Sequence, residues 1–338
     1  MVRYLLSFIC SVVLLTGCSS SSQKMIPAFS GSVGEVVVVV PNPDWNGRVG
    51  DALKAVYQEP QYGLPQQEPM FTVINVQKAN FTSVFETFRN IVRVHIDPQM
   101  QGKANYEMKK NQWAKDQIVV ELYAPDKDAM VTLLEENKSN LQEIFNLKEI
   151  DRLIKRNNKF GSQKEVETIE ATLGVSMVLQ KDVRIAKLDS NFMWLRIERE
   201  RPKGGYMHQI SQGILVYSYD YTDQEQFSDS NLFAVRDSLI GTHVIGTSEG
   251  AHMVTDYKYA PPLVREIDYR NHYAKEMRGL WRMTVDIMGG PMYSLVFLDE
   301  QNNKIILASG YVFAPEFDKL EFIRETEAMI KSITIPEA

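Results

Sequence analysis

The residues with the clearest chemical potential are Gly246-Thr247-Ser248-Glu249-Gly250, a match to the G-x-S-x-G nucleophile elbow. In that motif glycines let a serine sit on a tight strand-to-helix turn, where a histidine takes its proton and an acid orients the histidine. Asp268 and His272 follow Ser248 in the chain order such a triad requires. The stretch after Gly250 argues the other way. Residues 251–260 are rich in β-formers and run into Pro261-Pro262, where the elbow calls for a helix. Ser248 is therefore expected in a glycine-flanked loop, its hydroxyl spent on local backbone. A serine hydrolase built on Ser248, Asp268 and His272 is the alternative reading.

Other chemistry finds less support. The five histidines, His95, His208, His243, His252 and His272, show no i, i+4 pair of the helical zinc type. The acidic run Asp220, Asp223, Glu225 and Asp229 lacks the central glycine and closing glutamate of a calcium loop, and reads as a turn ending in a helix cap. No phosphate-cradling glycine motif occurs, so neither a metal nor a cofactor is expected. Tyr217, Tyr219 and Tyr221 fall on one face of a strand by its period of two. They form either the inward face of a sheet or a stacking row for a glycan, and a glycan-binding module is a further alternative.

Placing these side chains is the work of a regular α+β grammar. Glu35-Val36-Val37-Val38-Val39-Val40 is a β-branched run buried on both faces, stopped by Pro41. Helical spacing follows over 49–57, then strands over 71–76, 91–96 and 117–123, and a helix over 126–136 after Ala124-Pro125. A long helix is expected over 139–157, opened by a capping box of Ser139 and Gln142. The second half repeats the pattern: strand 214–221, helix 230–240, a hairpin 292–298 and 304–309, and Ala314-Pro315 before helix 316–330. Arg89-Asn90-Ile91-Val92-Arg93-Val94 and Arg278-Gly279-Leu280-Trp281-Arg282-Met283 recur at almost the offset that separates Pro125 from Pro315. The expectation is an internal duplication: two related lobes, 31–160 and 161–338, each a mostly antiparallel sheet with helices on one face.

The N-terminus carries an address. Arg3 precedes an apolar run over 4–15, too short to span a bilayer, which ends at Leu15-Thr16-Gly17-Cys18. That is the pattern of a lipoprotein signal over 1–17, with Cys18 as acyl acceptor and residues 18–30 as a polar tether. Of the two cysteines, Cys10 leaves with the signal and Cys18 is lipidated, so no thiol remains for disulfide, nucleophile or metal. A formal charge of −6 argues against a nucleic-acid partner. Ser19, with no acidic run after it, directs the expectation to the outer membrane, facing the periplasm.

Several segments carry a family resemblance: Met288-Gly289-Gly290-Pro291, Leu298-Asp299-Glu300-Gln301-Asn302-Asn303 and Gly310-Tyr311-Val312-Phe313-Ala314-Pro315 beside the Arg278 and Thr247 segments. In the first half they are joined by Trp45-Asn46-Gly47 and Leu64-Pro65-Gln66-Gln67-Glu68-Pro69. Together they resemble the envelope lipoproteins grouped as domain-of-unknown-function family 4837, over roughly residues 31–333. The resemblance implies a lipid-anchored protein of a Gram-negative envelope, and brings no catalytic residue. The expected function is a non-catalytic binding or envelope-assembly module, held to the membrane by its lipid and meeting an envelope protein or a glycan.

Overall fold

The computed structural model describes residues 26–336, so the signal, Cys18 and most of the tether lie outside the described residues. The first lobe runs β1 (Glu35–Val39), α1 (Asn42–Trp45), α2 (Arg48–Tyr57), β2 (Thr72–Val76), α3 (Ser83–Glu86), β3 (Asn90–Ile96), β4 (Asn105–Lys110), β5 (Ile118–Ala124), α4 (Lys127–Glu136) and α5 (Lys138–Phe160). The second runs α6 (Gln163–Leu173), β6 (Arg184–Asp189), β7 (Phe192–Lys203), β8 (Tyr206–Asp220), α7 (Asp229–His243), β9 (Met253–Asp256), β10 (Leu263–Tyr269), β11 (His272–Met283), β12 (Gly289–Asp299), β13 (Lys304–Phe313) and α8 (Leu320–Ile330). The class is α+β with two sheets.

The first sheet has the order β2-β1-β3-β5-β4. Strands β1, β2, β3 and β5 are parallel, and only the edge strand β4 is antiparallel, so this sheet departs from the antiparallel expectation. The reason lies in the connections. The chain leaves β1 through α1 and α2 before returning as β2, and a helical crossover returns a strand parallel to the first. Val36, Val38 and Val40 pack beneath α2, α4 and α5, while Val37 and Val39 face Phe81, Phe85, Phe88 and Trp113. Gln142 does not close a capping box; its amide donates to Val56 O at 2.8 Å and to Glu59 at 2.6 Å, tying α5 to the end of α2.

The second sheet is antiparallel, with the order β10-β11-β12-β13-β8-β7-β6 and β9 beside the far end of β11. Helices cover both of its faces: α6 and α8 on one, α7 on the other. The differing strand orders overturn the duplication. Pro125 and Pro315 both follow strands because proline ends a ladder and pre-sets φ for a turn or helix start, which is steric grammar and no sign of ancestry. Helix α4 starts two residues after Pro125, α8 only five after Pro315.

Helix α8 is the hinge-pin between lobes, lying between the second sheet and α5. Its N-terminus is capped from the other lobe: the Glu68 carboxylate accepts from Lys319 N at 2.7 and 2.9 Å and from Leu320 N at 2.8 Å. Glu327, almost fully buried, meets Arg278 Nη2 at 2.6 Å and Lys331 Nζ at 3.0 Å. Alongside, Glu149 accepts from Arg89, Asn90 and Arg152, each at 2.7 Å, and the Phe29 ring lies 4.7 Å from the Arg89 guanidinium and 5.0 Å from that of Arg152. Each buried charge thus has an opposite charge or a hydrogen bond against it, which is the condition for tolerating it away from water.

Candidate functional site

In an open parallel sheet, ligands enter at the carboxyl ends of strands, where neighbouring connections leave in opposite directions. Here that point lies between β1 and β3. The chain leaves β1 toward β2 on one side and leaves β3 toward β5 on the other. A crevice of about 540 Å³ opens at this place, lined by Val39 at the end of β1, Pro41 and Asp44 after it, Arg93, His95 and Asp97 along and after β3, and Tyr123 near the end of β5.

The crevice wall is organised by Glu121, at the centre of β5 and nearly fully buried. Period-two alternation sends Val92, Val94 and Ile96 toward the helices, and so turns Arg93 and His95 to the opposite face with Glu121 and Tyr123. Arg93 Nη1 donates to Glu121 Oε1 at 2.8 Å, and His95 Nε2 lies 2.6 Å from Oε2. Burial by itself would raise the Glu121 carboxyl; the His95 hydrogen bond and the charges of Arg93, His95 and Lys109 outweigh it and hold the group below the usual carboxylate range. The Arg93 guanidinium is also flanked by Phe81 at 5.6 Å and Trp113 at 5.7 Å, and the His95 ring stacks on Tyr123 at 4.9 Å. Lys78 reaches the same space, and Asp44, also on the wall, pairs with Lys127 at 2.7 Å. The result is a rigid wall of fixed donors, acceptors and ring faces.

The residues singled out in the sequence lie elsewhere, and the structure does not assemble them. Ser248 lies beside the Asp286 carboxylate, which accepts from Thr247 N at 2.9 Å and is held below its usual range by the hydrogen-bonding groups of Ser248 and Thr247. Asp268 accepts from Asn271 N at 2.9 Å in the turn between β10 and β11. His272 pairs with Glu300 at 2.6 Å, at the start of β11. Ser248 lies beyond the other end of that strand, where His252 N bonds Thr284 Oγ1 at 3.1 Å, which at about 3.3 Å per residue is on the order of 30 Å away. Gly250 has φ +73°, a left-handed position that suits glycine in a loop.

The tyrosine row is partly buried against the cluster under α7, and so is no open platform. Tyr217 and Tyr219 stack at 5.2 Å, and burial pushes the Tyr219 phenol up to about 12. The acidic run is consumed locally: Asp220 pairs with Lys304, Asp223 caps a short 3₁₀ turn, and Asp229 pairs with Lys275. Among the described residues, no group of three or more His, Cys, Asp or Glu is placed to hold a metal ion.

Sequence reading weighed His95 only as a zinc ligand and Arg93 only as part of a repeat, and did not join them to Glu121, although a signal was present. Each is a charged or ionisable residue inside an apolar strand, and the three alternate in phase once the strands are paired. Their adjacency depends on the β3–β5 register, Arg93 opposite Glu121 and His95 opposite Tyr123.

Two family models match this chain. One, described as Domain of unknown function (DUF4837), covers residues 162–332. The other, described as Domain of unknown function (DUF8532), covers residues 30–158. The expected resemblance over nearly the whole mature chain is thereby corrected: the two halves match separate families, in keeping with their unlike sheets. No curated protein matches. Among solved structures, a mutant of the protein Mog1 is similar at 10% identity, covering 48% of this chain and 90% of that one with a TM-score of 0.29. A Saccharomyces cerevisiae Ran-binding protein Mog1p matches at the same identity and coverage with a TM-score of 0.28.

Proposed function

From the premise that the chain belongs to the DUF4837 family, whose description carries no activity, we propose that it is a lipid-anchored binding protein of the cell envelope, whose small polar ligand enters the crevice between β1 and β3. The crevice wall carries this reading. Glu121 is held by the Arg93 guanidinium and the His95 imidazole, and rings flank both of them, so the polar groups and ring faces are set before any ligand arrives. Preorganisation of this kind favours recognition, because less side-chain freedom remains to be lost on binding. Small-ligand sites combine apolar walls with a few fixed polar groups, and Val39 and Met100 supply the apolar part here.

The anchor rests on Leu15-Thr16-Gly17-Cys18 and the apolar run before it. Several acyl chains hold a protein to a bilayer without a basic patch, which agrees with the acidic balance of this chain. The outer membrane, with the protein facing the periplasm, is the location this tether composition favours.

Two measurements test the reading separately. Cys18→Ser should abolish acyl labelling and release the protein from membranes; retention of both would remove the anchor. Native mass spectrometry of protein purified from envelopes should show a small bound mass that Arg93→Ala and Glu121→Gln each lose. An identical spectrum for wild type and both variants would remove the crevice.

A further inference from the structure

A groove of about 550 Å³ runs along the junction of the lobes, between the chain leading into β1 and the start of α8. Its lining holds three carboxylates, Glu68, Asp318 and Glu321, and one cation, Arg324. Two of the carboxylates are spent. Glu68 caps the first N–H groups of α8, so that helix end takes no further anion. Glu321 accepts from Arg201 through both oxygens, at 3.0 and 3.1 Å. Asp318, exposed on the turn before α8, has no cation and no hydrogen bond against it among the described residues.

Arg324 is the matching case of opposite sign. It is only 4% exposed, and no carboxylate lies within ion-pair distance of it among the described residues. Its Nη2 donates to Met70 O at 2.5 Å, and its guanidinium lies 5.2 Å from the Phe71 ring. Its Nε is sealed inside without a partner. Nη1 has no acceptor either, yet it is not sealed: it lies in the groove wall beside Gly34, where a Cβ would fall 2.9 Å from it. Burial draws the guanidinium down to about 10, against the charges of Glu149 and Glu327. An anion brought to Nη1 therefore supplies compensation that the fold itself leaves incomplete.

Helix geometry brings these two unmatched charges toward each other. Leu320 and Arg324 are about one turn apart, roughly 6 Å along α8, and helical side chains lean toward the N-terminus. The guanidinium thus reaches back toward the turn that carries Asp318. Val33, Pro69, Met70 and Leu320 give the rest of the wall an apolar surface.

We propose that this groove binds a free amino acid with an apolar side chain, its carboxylate on Arg324 Nη1, its ammonium on Asp318 and its side chain against Met70 and Leu320. The two charges of such a zwitterion meet the two charges of the groove that lack partners. A simple anion would face the Asp318 charge, and a simple amine that of Arg324. The site is separate from the crevice in the first lobe.

Calorimetric titration of the mature full chain with L-leucine tests this. Two analogues accompany it: 4-methylpentanoate, which lacks the ammonium, and 3-methylbutylamine, which lacks the carboxylate. L-leucine should bind, and each analogue should bind about tenfold more weakly or less. Asp318→Asn, at an exposed position, should weaken L-leucine about fivefold and leave 4-methylpentanoate no weaker than before. Arg324→Gln should abolish L-leucine binding; because that side chain also bonds Met70 O across the lobe junction, Asp318→Asn carries the decision. Absence of L-leucine binding overturns the proposal. So does equal binding of 4-methylpentanoate, or L-leucine binding that Asp318→Asn leaves unchanged.

Discussion

Replacing Glu327 by glutamine removes one charge from the centre of the inter-lobe network and leaves the shape of the side chain in place. In the native protein this carboxylate, 1% exposed, faces Arg278 at 2.6 Å and Lys331 at 3.0 Å. Breaking one partner of a buried pair costs about 3–5 kcal/mol, because the remaining charge stays buried. Lys331 keeps Glu276 at 2.6 Å, and Arg278 keeps the Tyr293 face at 4.6 Å, so the lower end, about 3 kcal/mol, is expected. The pH dependence gives a second reading of the same quantity. Burial works to raise the Glu327 carboxyl, yet Arg278 and Lys331 bring it down from 4.5 to about 2. A group whose folded value lies below its unfolded value stabilises fully above the unfolded one and loses that contribution as pH falls toward the folded one. The window is therefore pH 4.5 to 2, at about 1.4 kcal/mol per unit. Roughly 2 kcal/mol should already be gone by about pH 3 in the wild type and not in the variant. Urea unfolding at a series of pH values should show a gap of about 3 kcal/mol at neutral pH that shrinks to about 1 at pH 3. A gap below about 0.5 kcal/mol at neutral pH, or one that stays constant across the window, would refute the argument.

Glu68→Ala should cost about 1–2 kcal/mol in thermal unfolding by uncapping α8, and Glu68→Gln less, since the amide keeps one acceptor. Gly34→Ala combines a φ of +77° with a Cβ only 2.9 Å from Arg324 Nη1, so its loss should exceed about 1 kcal/mol by the same measurement. A fluorophosphonate probe should fail to label wild-type protein at Ser248, and Ser248→Ala should unfold within about 0.5 kcal/mol of wild type. Labelling that disappears in Ser248→Ala would make the hydrolase the leading reading.

Local chemistry made much of the architecture legible. The valine run that begins at Val36 became β1, an interior strand of the first sheet, and the Asp299 to Lys304 turn became the β12–β13 hairpin, with Asn302 N bonded to Asp299 at 3.1 Å. Both are decided within a few residues, by strand propensity and turn geometry. Strand direction was not legible. A residue pattern of period two is the same for a parallel and an antiparallel neighbour, so two unlike sheets read as one repeated unit.

The charged interior was hidden for a related reason. Along α8, Arg324, Glu325 and Glu327 are spaced as residues of a solvated helix face, yet all are buried. One side of the helix lies on the second sheet, and α5 closes over the other. What the chain determined by itself is the elements with the strongest local pattern and their turn chemistry, together with the signal-like run that ends at Cys18; edge elements such as β4, β6 and β10 carried too little pattern to be read. Which charges are drawn out of water, and that Arg93, His95 and Glu121 share one wall, was decided by strands and helices distant in sequence. Burial and opposition are properties of pairs of surfaces, and a residue acquires its partner only when the second surface arrives.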